Sequence, residues 1–290
     1  MAANGDIRDD VRIEIREFLS TRRARISPEQ AGLPIYGGAR RRVAGLRREE
    51  VALLAGISTE YYVRLERGNA TGLSEGVIEG IAHALQLDEA ERMHLLDLLR
   101  AVGSTRRPPR RRPSRQRVRP TVQRILDSMT GTPALVLNGR LDILAANALG
   151  SALFHTSANN ARFAFLDPKA TEFYREWDSV ANDIVAILRA EVGRDPYDRQ
   201  LSDLIGELST RSEEFSVRWA AHNVRIHTHG LKLIHHPVVG DLDLAFESMP
   251  LPADPGQNLV AYTAEPGSPS QDALDLLASW AATTLESQPK

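Results

Sequence analysis

The sequence predicts a mainly α-helical N-terminal domain and an α+β C-terminal domain with an antiparallel sheet. Apolar residues repeat at helical spacing before residue 104 and return in short, strand-like runs after residue 133. The charge is also divided. Through residue 120 there are 23 Arg and no Lys against 16 acidic residues, a net charge of +7, whereas the remaining residues include 13 basic and 22 acidic ones, a net charge of −9 within the total of −2. We therefore expect the two parts to have different partners.

The composition excludes several classes of protein. The 290 residues include no cysteine, which excludes a disulfide framework, a cysteine-based zinc site and a thiol nucleophile. No run approaches the roughly 20 apolar residues of a membrane-spanning helix, and the N-terminal residues lack the apolar core of a signal peptide. With 42% hydrophobic and 26% charged residues, we expect a cytoplasmic protein that does not contact a membrane.

An Arg- and Pro-rich segment, STRRPPRRRPSRQRVRP, separates the two predicted domains. It contains eight Arg and four Pro and has no apolar period, and proline interrupts helices and central strands. The predicted organisation is an N-terminal domain over 1–103, a linker over 104–120 and a C-terminal domain over 121–290. The linker is either a solvated spacer or a spacer that also follows a phosphate backbone, and the sequence leaves both open.

Five short helices are predicted in the N-terminal domain. Segments 46–55, 58–67 and 74–86 have compact helical patterns. Asp88 is suited to cap a fifth helix, with Glu91 completing the spacing of a capping box. The first helix is predicted from an apolar stripe that consists of Val11, Ile15, Phe18 and Leu19.

Residues 46–68, LRREEVALLAGISTEYYVRLERG, have the pattern of a helix-turn-helix. Gly56 can adopt the positive φ that a sharp turn needs, and Ser58 is a suitable N-cap for the second helix. In that helix Tyr62 and Leu65 lie on one side, and long polar side chains lie on the opposite side. A second helix with such a face is typical of one that enters the major groove of DNA.

The polar side chains of this segment are suited to different parts of a duplex. Arg64 could make a bidentate contact with guanine, and Glu60 could accept a hydrogen bond from cytosine. Arginines at the start of the preceding helix are placed for phosphates. A solvated helix pair in a generic bundle is the alternative. The predicted DNA-binding residues are Arg47, Arg48, Ser58, Thr59, Glu60, Tyr61, Arg64 and Arg67.

This segment resembles the helix-turn-helix of the Xre family, including the closing pattern Leu65-Glu66-x-Gly68. The resemblance implies that Glu66 is structural and pairs with Arg22 or Arg23 of the first helix. The positions that it implies to face DNA are Arg48, Thr59, Glu60 and Arg64.

The C-terminal domain is predicted to contain a hairpin, a helical middle and further strands. Apolar runs at 134–138 and 141–146 flank the turn residues Gly139 and Arg140. A helical stretch from about 169 to 222 is interrupted at 193–196. Strand-like runs follow at 225–229, 231–236, 241–249 and 259–263, and a last helix is predicted to be buried through Ala273, Leu277, Trp280 and Thr284. The simplest arrangement is one antiparallel sheet with helices on one face.

Aromatic residues concentrate in the helical middle. Most could simply be core, but a sheet under a helical cover often leaves a closed apolar cavity, and nearby arginines could bind a carboxylate at its mouth. The predicted ligand-binding residues are Arg162, Phe163, Phe165, Phe173, Trp177, Arg189, Phe215 and Trp219.

Catalytic and metal motifs are not apparent in the sequence. It contains no GxSxG, P-loop, GxGxxG or HExxH motif. Five of the eight His lie between His222 and His236, and His227 and His229 would share one face of a strand, which is metal-ligand spacing. Without a carboxylate at ligand spacing, histidines on hairpin strands are the simpler interpretation. We therefore predict no metal, no cofactor and no enzyme.

Several dispersed motifs of the C-terminal domain resemble the MmyB-like transcriptional regulators, and together with the front half they span about residues 10 to 280. The resemblance implies a repressor or activator whose C-terminal domain is PAS-like and binds a ligand, and it names neither the ligand nor catalytic residues. The motifs are Arg162-Phe163-x-Phe165-Leu166-Asp167-Pro168, Leu188-Arg189-x-Glu191-x-Gly193-Arg194-Asp195-Pro196, Glu207-Leu208-x-x-Arg211-Ser212, Phe215 to Trp219, His236-Pro237-x-x-Gly240 and Glu265-Pro266-Gly267-Ser268.

These observations together predict a homodimeric, sequence-specific transcription regulator. Its N-terminal domain would bind double-stranded operator DNA, and its C-terminal domain would sense a small apolar ligand, for instance a fatty acid. The alternative is that the C-terminal domain serves only as a dimerisation or protein-docking platform. A pocket of roughly 300 Å³ or more would favour sensing over docking.

Overall fold

The computed structural model forms two compact units. The first comprises Met1–Arg110, Arg189–Arg199 and Ala220–Ile226, and the second comprises Arg111–Leu188, Gln200–Trp219 and His227–Lys290. The first unit therefore includes two short segments from late in the sequence. The residues that the structure describes are 3–34, 43–69, 73–103, 117–154, 158–224 and 228–286.

The first unit contains the predicted helices. The cap of the fifth helix is also confirmed: the Glu91 N–H donates to Asp88 Oδ1 at 2.8 Å, and the Asp88 N–H donates to Glu91 Oε2 at 3.3 Å. This reciprocal pairing satisfies two backbone donors at the helix start. The helices are α1 (Ala3–Arg25), α2 (Arg48–Leu54), α3 (Thr59–Glu66), α4 (Glu75–Ala84) and α5 (Glu89–Gly103).

The apolar stripe of α1 forms the centre of this core, as its spacing predicts. Ile15, Phe18 and Leu19 are fully buried, and they share one cluster with Tyr62 of α3 and Leu95 of α5. Burying side chains of this size stabilises a protein by roughly 1.5–3 kcal/mol each. The helical N-terminal region with its helix-turn-helix is therefore confirmed, whereas residues 104–116 of the predicted linker lie outside the described residues.

A five-stranded antiparallel sheet in the order β2-β1-β5-β4-β3 organises the second unit. β5 is central, with Leu259 opposite Val136 of β1 and Val260 opposite Ser248 of β4. The α+β class with an antiparallel sheet is thus confirmed. The strands are β1 (Ala134–Asn138), β2 (Ile143–Ala146), β3 (His229–His236), β4 (Gly240–Pro250) and β5 (Gln257–Thr263).

Three strands differ from the prediction by more than one residue, and one of them is β5, which begins at Gln257 rather than at residue 259. The runs at 225–229 and 231–236 do not form separate strands, because Gly230 stays in register with Phe246 of β4 and β3 continues through it. Residues 225–227 lie outside the described residues. β2 begins at Ile143 rather than at residue 141, because Leu141 adopts φ +64° and cannot extend the strand.

Among the described residues, eight helices lie wholly or mostly in the second unit. The helical middle is broken at residues 195–198 rather than at 193–196, and it is also interrupted at 174–176 and at 212. α6, α7 and α8 were not predicted, although Asn147 and Asn159 cap α7 and α8 by accepting from backbone N–H groups. The helices are α6 (Pro120–Ser128), α7 (Ala148–Leu153), α8 (Asn160–Leu166), α9 (Ala170–Phe173), α10 (Trp177–Arg194), α11 (Arg199–Arg211), α12 (Glu213–Ala220) and α13 (Pro269–Glu286).

Helices cover one face of the sheet, and α6 adds cover on the other face at β1 and β5, so the prediction of helices on one face was incomplete. Val122 and Leu126 of α6 pack against Val136 and Leu259 on one face, whereas Tyr262 lies on the other face. All five residues of β1 are buried for this reason. On β4, by contrast, buried and exposed residues alternate, so the face that α6 covers at β1 and β5 is open to solvent there.

The last helix is buried less fully than its pattern predicts. Ala273 and Leu277 of α13 are buried, but Trp280 is 47% exposed and Leu276 is 66% exposed. The side chain of Thr284 lies outside the described residues. Among the residues that the structure describes, no helix is long and apolar enough to cross a membrane.

Candidate functional site

The turn between α2 and α3 has the geometry that its residues predict. Gly56 adopts φ +66°, a conformation that residues with a Cβ rarely take. The Ser58 hydroxyl oxygen accepts a hydrogen bond from the Tyr61 N–H at 3.1 Å and so caps α3. The Ser58 hydroxyl thus has a structural role as the N-cap of α3, which limits the other groups that it can bind.

α3 has one buried and one exposed side. Tyr62 and Leu65 are fully buried, and burial raises the pKa of the Tyr62 hydroxyl. On the exposed side, Glu60, Arg64 and Arg67 form no side-chain hydrogen bond or ion pair with another residue that the structure describes. We call this side the exposed face of α3, and it consists of Thr59, Glu60, Tyr61, Arg64 and Arg67.

Glu66 holds two arginines near this face. Its carboxylate is 2% exposed and accepts from Arg23 Nη2 at 3.1 Å and from Arg48 Nε. The predicted pairing of Glu66 with α1 is therefore confirmed for Arg23, whereas Arg22 pairs with Glu91 at 2.7 Å. Glu66 binds the Nε atom of Arg48, and the Arg48 side chain is nevertheless 53% exposed to solvent.

Arg47 lies at the start of α2 beside two carboxylates. Its backbone N–H donates to Glu50 Oε2 at 2.6 Å, and its Nη1 is 3.4 Å from Glu49 Oε1. These acidic residues are favourable at a helix N-terminus. They also reduce the positive potential that Arg47 and Arg48 would offer to a phosphate, a feature that the sequence interpretation missed.

The second unit has a cleft of about 380 Å³ at its surface. Glu207 bridges two of its arginines, accepting from Arg162 Nε and from Arg211 Nη1, both at 2.8 Å. The hydrogen bond from Arg162 lowers the pKa of Glu207. The cleft opens to solvent rather than forming the expected closed cavity, and it is lined by Arg162, Phe163, Leu166, Asp167, Pro168, Glu207 and Arg211.

The predicted ligand-binding aromatics separate into two clusters. Phe163 and Phe173 meet edge to face, with ring centroids 5.5 Å apart, and both contact Tyr174. In the other cluster, Phe215 lies 5.1 Å from Phe165 and stacks on Trp219 at 5.5 Å, and Phe165 is 6.0 Å from Trp177. Of the predicted ligand-binding residues, only Arg162 and Phe163 line the cleft.

Three further residues of the second unit lie at these clusters and were missed. Tyr174 and Tyr262 are buried, and burial raises the pKa of both hydroxyls. Arg218 lies over the Trp177 ring, 5.0 Å from its centroid. The alternation of β5 could have placed Tyr262 on the inner face, but no local signal distinguishes Tyr174 or Arg218.

Arg189 belongs to the first unit, whereas the predicted ligand-binding aromatics belong to the second. It is fully buried, donates to Glu14 Oε1 of α1 and lies with Nη1 2.8 Å from His222 Nδ1. Hydrogen-bonding partners for this guanidinium are thus supplied by the first unit. Glu14 was not among the predicted site residues.

The C-terminal histidines have separate surroundings. His235 Nδ1 lies 2.5 Å from Asp241, and His236 is buried with Nε2 3.2 Å from the Ala152 carbonyl oxygen. His227 lies outside the described residues. His222 instead lies beside Glu14 and Glu17, and ligand atoms of these three residues lie within 4.8 Å of one another, so they could in principle hold a metal ion.

Two family models match the chain. The model described as "MmyB-like transcription regulator ligand binding domain" matches residues 118–277, more than half of the chain, and a helix-turn-helix domain model matches residues 38–95. The search among curated proteins found no match.

Proposed function

Since this chain belongs to the MmyB-like transcription regulators, we propose that it binds a specific operator through α3 and responds to a small apolar ligand. The helix-turn-helix and the ligand-binding domain make the chain a transcription regulator. The operator specificity, the type of ligand and the sensing role are what we propose beyond that. We propose no enzymatic activity, because the matched families are those of a regulator.

The exposed face of α3 carries the proposal for DNA. Glu60, Arg64 and Arg67 point away from the core, and their side chains are not engaged by other described residues. In the proposed complex, Arg64 and Glu60 contact base edges, and Thr59 and Tyr61 lie at the leading edge of the helix. Phosphate contacts are proposed for Arg47, Arg48 and Arg67, and Ser58 would contribute mainly through its cap.

The cleft of the second unit supports a ligand that is apolar at one end and anionic at the other. Phe163 and Leu166 provide apolar lining, and Arg162 and Arg211 provide donors for a carboxylate. Because the cleft is open to solvent, its charged and apolar lining and not its volume carries the proposal. We propose a fatty acid or a similar amphiphile, with its head at Arg162 and with Arg189 not taking part.

We further propose that the protein is a cytoplasmic homodimer of the Xre type whose second unit is PAS-like. A two-fold dimer would bind two half-sites about one helical turn apart. The five-stranded antiparallel sheet with its helical cover supports the PAS-like interpretation. The competing function is a docking platform, which is favoured by Leu276 and Trp280, exposed one turn apart on α13.

Selection from a random duplex library tests the DNA function. The full chain should enrich one sequence motif, and its affinity for that motif should exceed that for unrelated duplex by about 10³-fold or more. Uniform recovery of all sequences would contradict a sequence-specific regulator.

A fluorescent fatty acid, measured by titration, tests the ligand function. Arg162→Gln should weaken binding because it removes a donor for the carboxylate, and Glu207→Gln should strengthen it because a competing negative charge is lost. Arg124→Gln, on the exposed side of α6, is the matched control. If neither cleft variant changes the affinity, the cleft is not the ligand site and the docking interpretation gains.

A further inference from the structure

Five polar residues of the first unit form one ion cluster, which we call the coupling cluster: Glu14, Glu17, Arg22, Arg189 and His222. Arg189 donates to Glu14 and lies beside His222 Nδ1, and His222 Nε2 lies 3.0 Å from Glu17 Oε2. Arg22 donates to the His222 carbonyl oxygen. α1 supplies three of these residues, and the segments Arg189–Arg199 and Ala220–Ile226 supply the other two.

The two arginines of the coupling cluster balance the charge of its two carboxylates, which argues against a metal ion there. In the tautomer whose Nδ1 accepts from Arg189, Nε2 would carry the proton and face Glu17 Oε2. No lone pair of the imidazole then remains for a metal. A dication beside Glu14 would also lie close to the Arg189 guanidinium and be repelled by it.

The last turn of α10, which belongs to the first unit, packs closely against α5 near the coupling cluster. His94 of α5 is buried, and its Nε2 lies 3.8 Å from Glu14 Oε1. A Cβ added to Gly193 would lie 2.8 Å from His94 Nδ1, which is closer than real Cβ atoms approach. A residue without a side chain is therefore required at position 193 for α10 to approach His94 this closely. This contact is independent of the ion pair between Arg189 and Glu14.

α1 connects the coupling cluster to the residues around the exposed face of α3. Arg22 is bound to His222 and Glu91, and its neighbour Arg23 is bound to Glu66. Glu66 in turn holds Arg48. A displacement of α1 at Arg22 would therefore move Arg23, and it would change the orientation of the Glu66 carboxylate that Arg23 shares with Arg48.

We propose that Arg189 and His222 are positioning residues for DNA binding: by fixing α1 they hold Arg48 in place, so that DNA affinity depends on the position of α10. This inference rests on the proposed function. Arg189 lies on the same helix as Trp177, which belongs to the aromatic cluster of the second unit. A ligand can change DNA affinity only if it favours one position of such an element over another.

A double-mutant cycle in the full chain tests this inference on the duplex that the wild-type protein selects. His222→Asn removes the imidazole and keeps the carbonyl that binds Arg22, and asparagine tolerates the left-handed φ of +51° at this position. We expect His222→Asn to lower DNA affinity about 2- to 30-fold. The slope of log affinity against log salt should fall in magnitude by up to about 0.9, the value of one phosphate contact.

The effect should depend on Arg48. In an Arg48→Gln background, His222→Asn should lower the affinity much less, because the contact that it disturbs is already gone. Asp9→Asn, which removes an exposed charge of α1 outside the coupling cluster, is the matched control and should leave affinity and slope unchanged. Glu17→Gln is the milder second variant should His222→Asn not fold, since the Glu17 side chain is 51% exposed.

A second pair of variants tests the contact between α10 and His94 by adding a methyl group instead of removing a charge. Gly193→Ala should reproduce the loss of affinity, whereas Gly206→Ala, on α11 with open space around the added methyl, should not. The coupling between His222 and Arg48 would be overturned if the wild-type protein selects a duplex but the two substitutions lower its affinity additively and leave the salt slope unchanged. The proposed function would then still stand. Failure of the wild-type protein to select any duplex would overturn the proposed function itself.

Discussion

The exposed face of α3 and the aromatic clusters of the second unit differ in how well the sequence alone identifies the residues of the site. On α3, helical period alone separates Tyr62 and Leu65 from Glu60 and Arg64, and the structure places the two pairs on opposite sides. In the second unit the same residue type is both core and candidate site, as Phe215 is fully buried whereas Phe163 also lines the cleft. A polar face can thus be identified locally, but a pocket depends on contacts between distant segments.

The largest expected effect is on stability in the second unit. Phe215→Ala removes a fully buried ring that contacts Phe165 and stacks on Trp219, and it should lower the free energy of unfolding by about 3–5 kcal/mol. Chemical denaturation of the full chain, followed by tryptophan fluorescence, measures this loss. The exposed Val217→Ala is the control. A loss below 1 kcal/mol would mean that the ring lines a space instead of filling one.

The next effect distinguishes structural from DNA-binding roles in the first unit. Glu66→Gln keeps the shape of the side chain but removes the charge that holds Arg23 and Arg48, and it should cost about 1–3 kcal/mol of stability. It should also weaken binding to all duplexes, because Arg48 loses its orientation. Glu79→Gln, an exposed carboxylate paired with Arg92, is the control. Loss of stability with unchanged DNA affinity would restrict Glu66 to a structural role.

A smaller effect concerns pH and should be confined to the first unit. Burial lowers the pKa of His94 below its usual 6.5, although the Glu14 carboxylate opposes this shift. The unfolded chain then binds a proton more readily than the folded one, so stability is lost as the pH falls below about 6.5 towards the folded pKa. His94→Gln should flatten the pH dependence of the unfolding free energy below about pH 6.5. An identical slope in wild type and variant would show that His94 does not titrate on unfolding.

Local sequence signals were sufficient to predict most helices and strands and the exposed face of α3. The stripe from Val11 to Leu19, the Asp88 capping box and the Gly56 turn each depend on residues within a few positions of one another. α7 and α8 were missed because they are short, although their Asn caps are visible in the sequence. Asn147 also donates to the carbonyls of Met129 and Thr132, a tertiary role that no spacing indicates.

The position of Arg189 shows the limit of that reasoning. Its neighbours in sequence suggested a place with the aromatics, yet its partners are Glu14 and His222, 175 and 33 residues away. A buried guanidinium needs partners that satisfy its charge, and α1 provides them. Charge pairing over such a distance cannot be deduced from one sequence, because every acidic residue is an equally valid candidate.

The base preference of an Arg64→Ala variant tests the central claim most directly. Wild type and variant are each used to select duplexes from the same random library, with Arg100→Ala on α5, a comparably exposed arginine, as the control. The account predicts that Arg64→Ala loses its preference at one base pair of each half-site, with an affinity loss of about 1–3 kcal/mol, while the remaining positions of the motif are retained. An identical motif and affinity for Arg64→Ala would contradict the assignment of α3 as the helix that reads DNA.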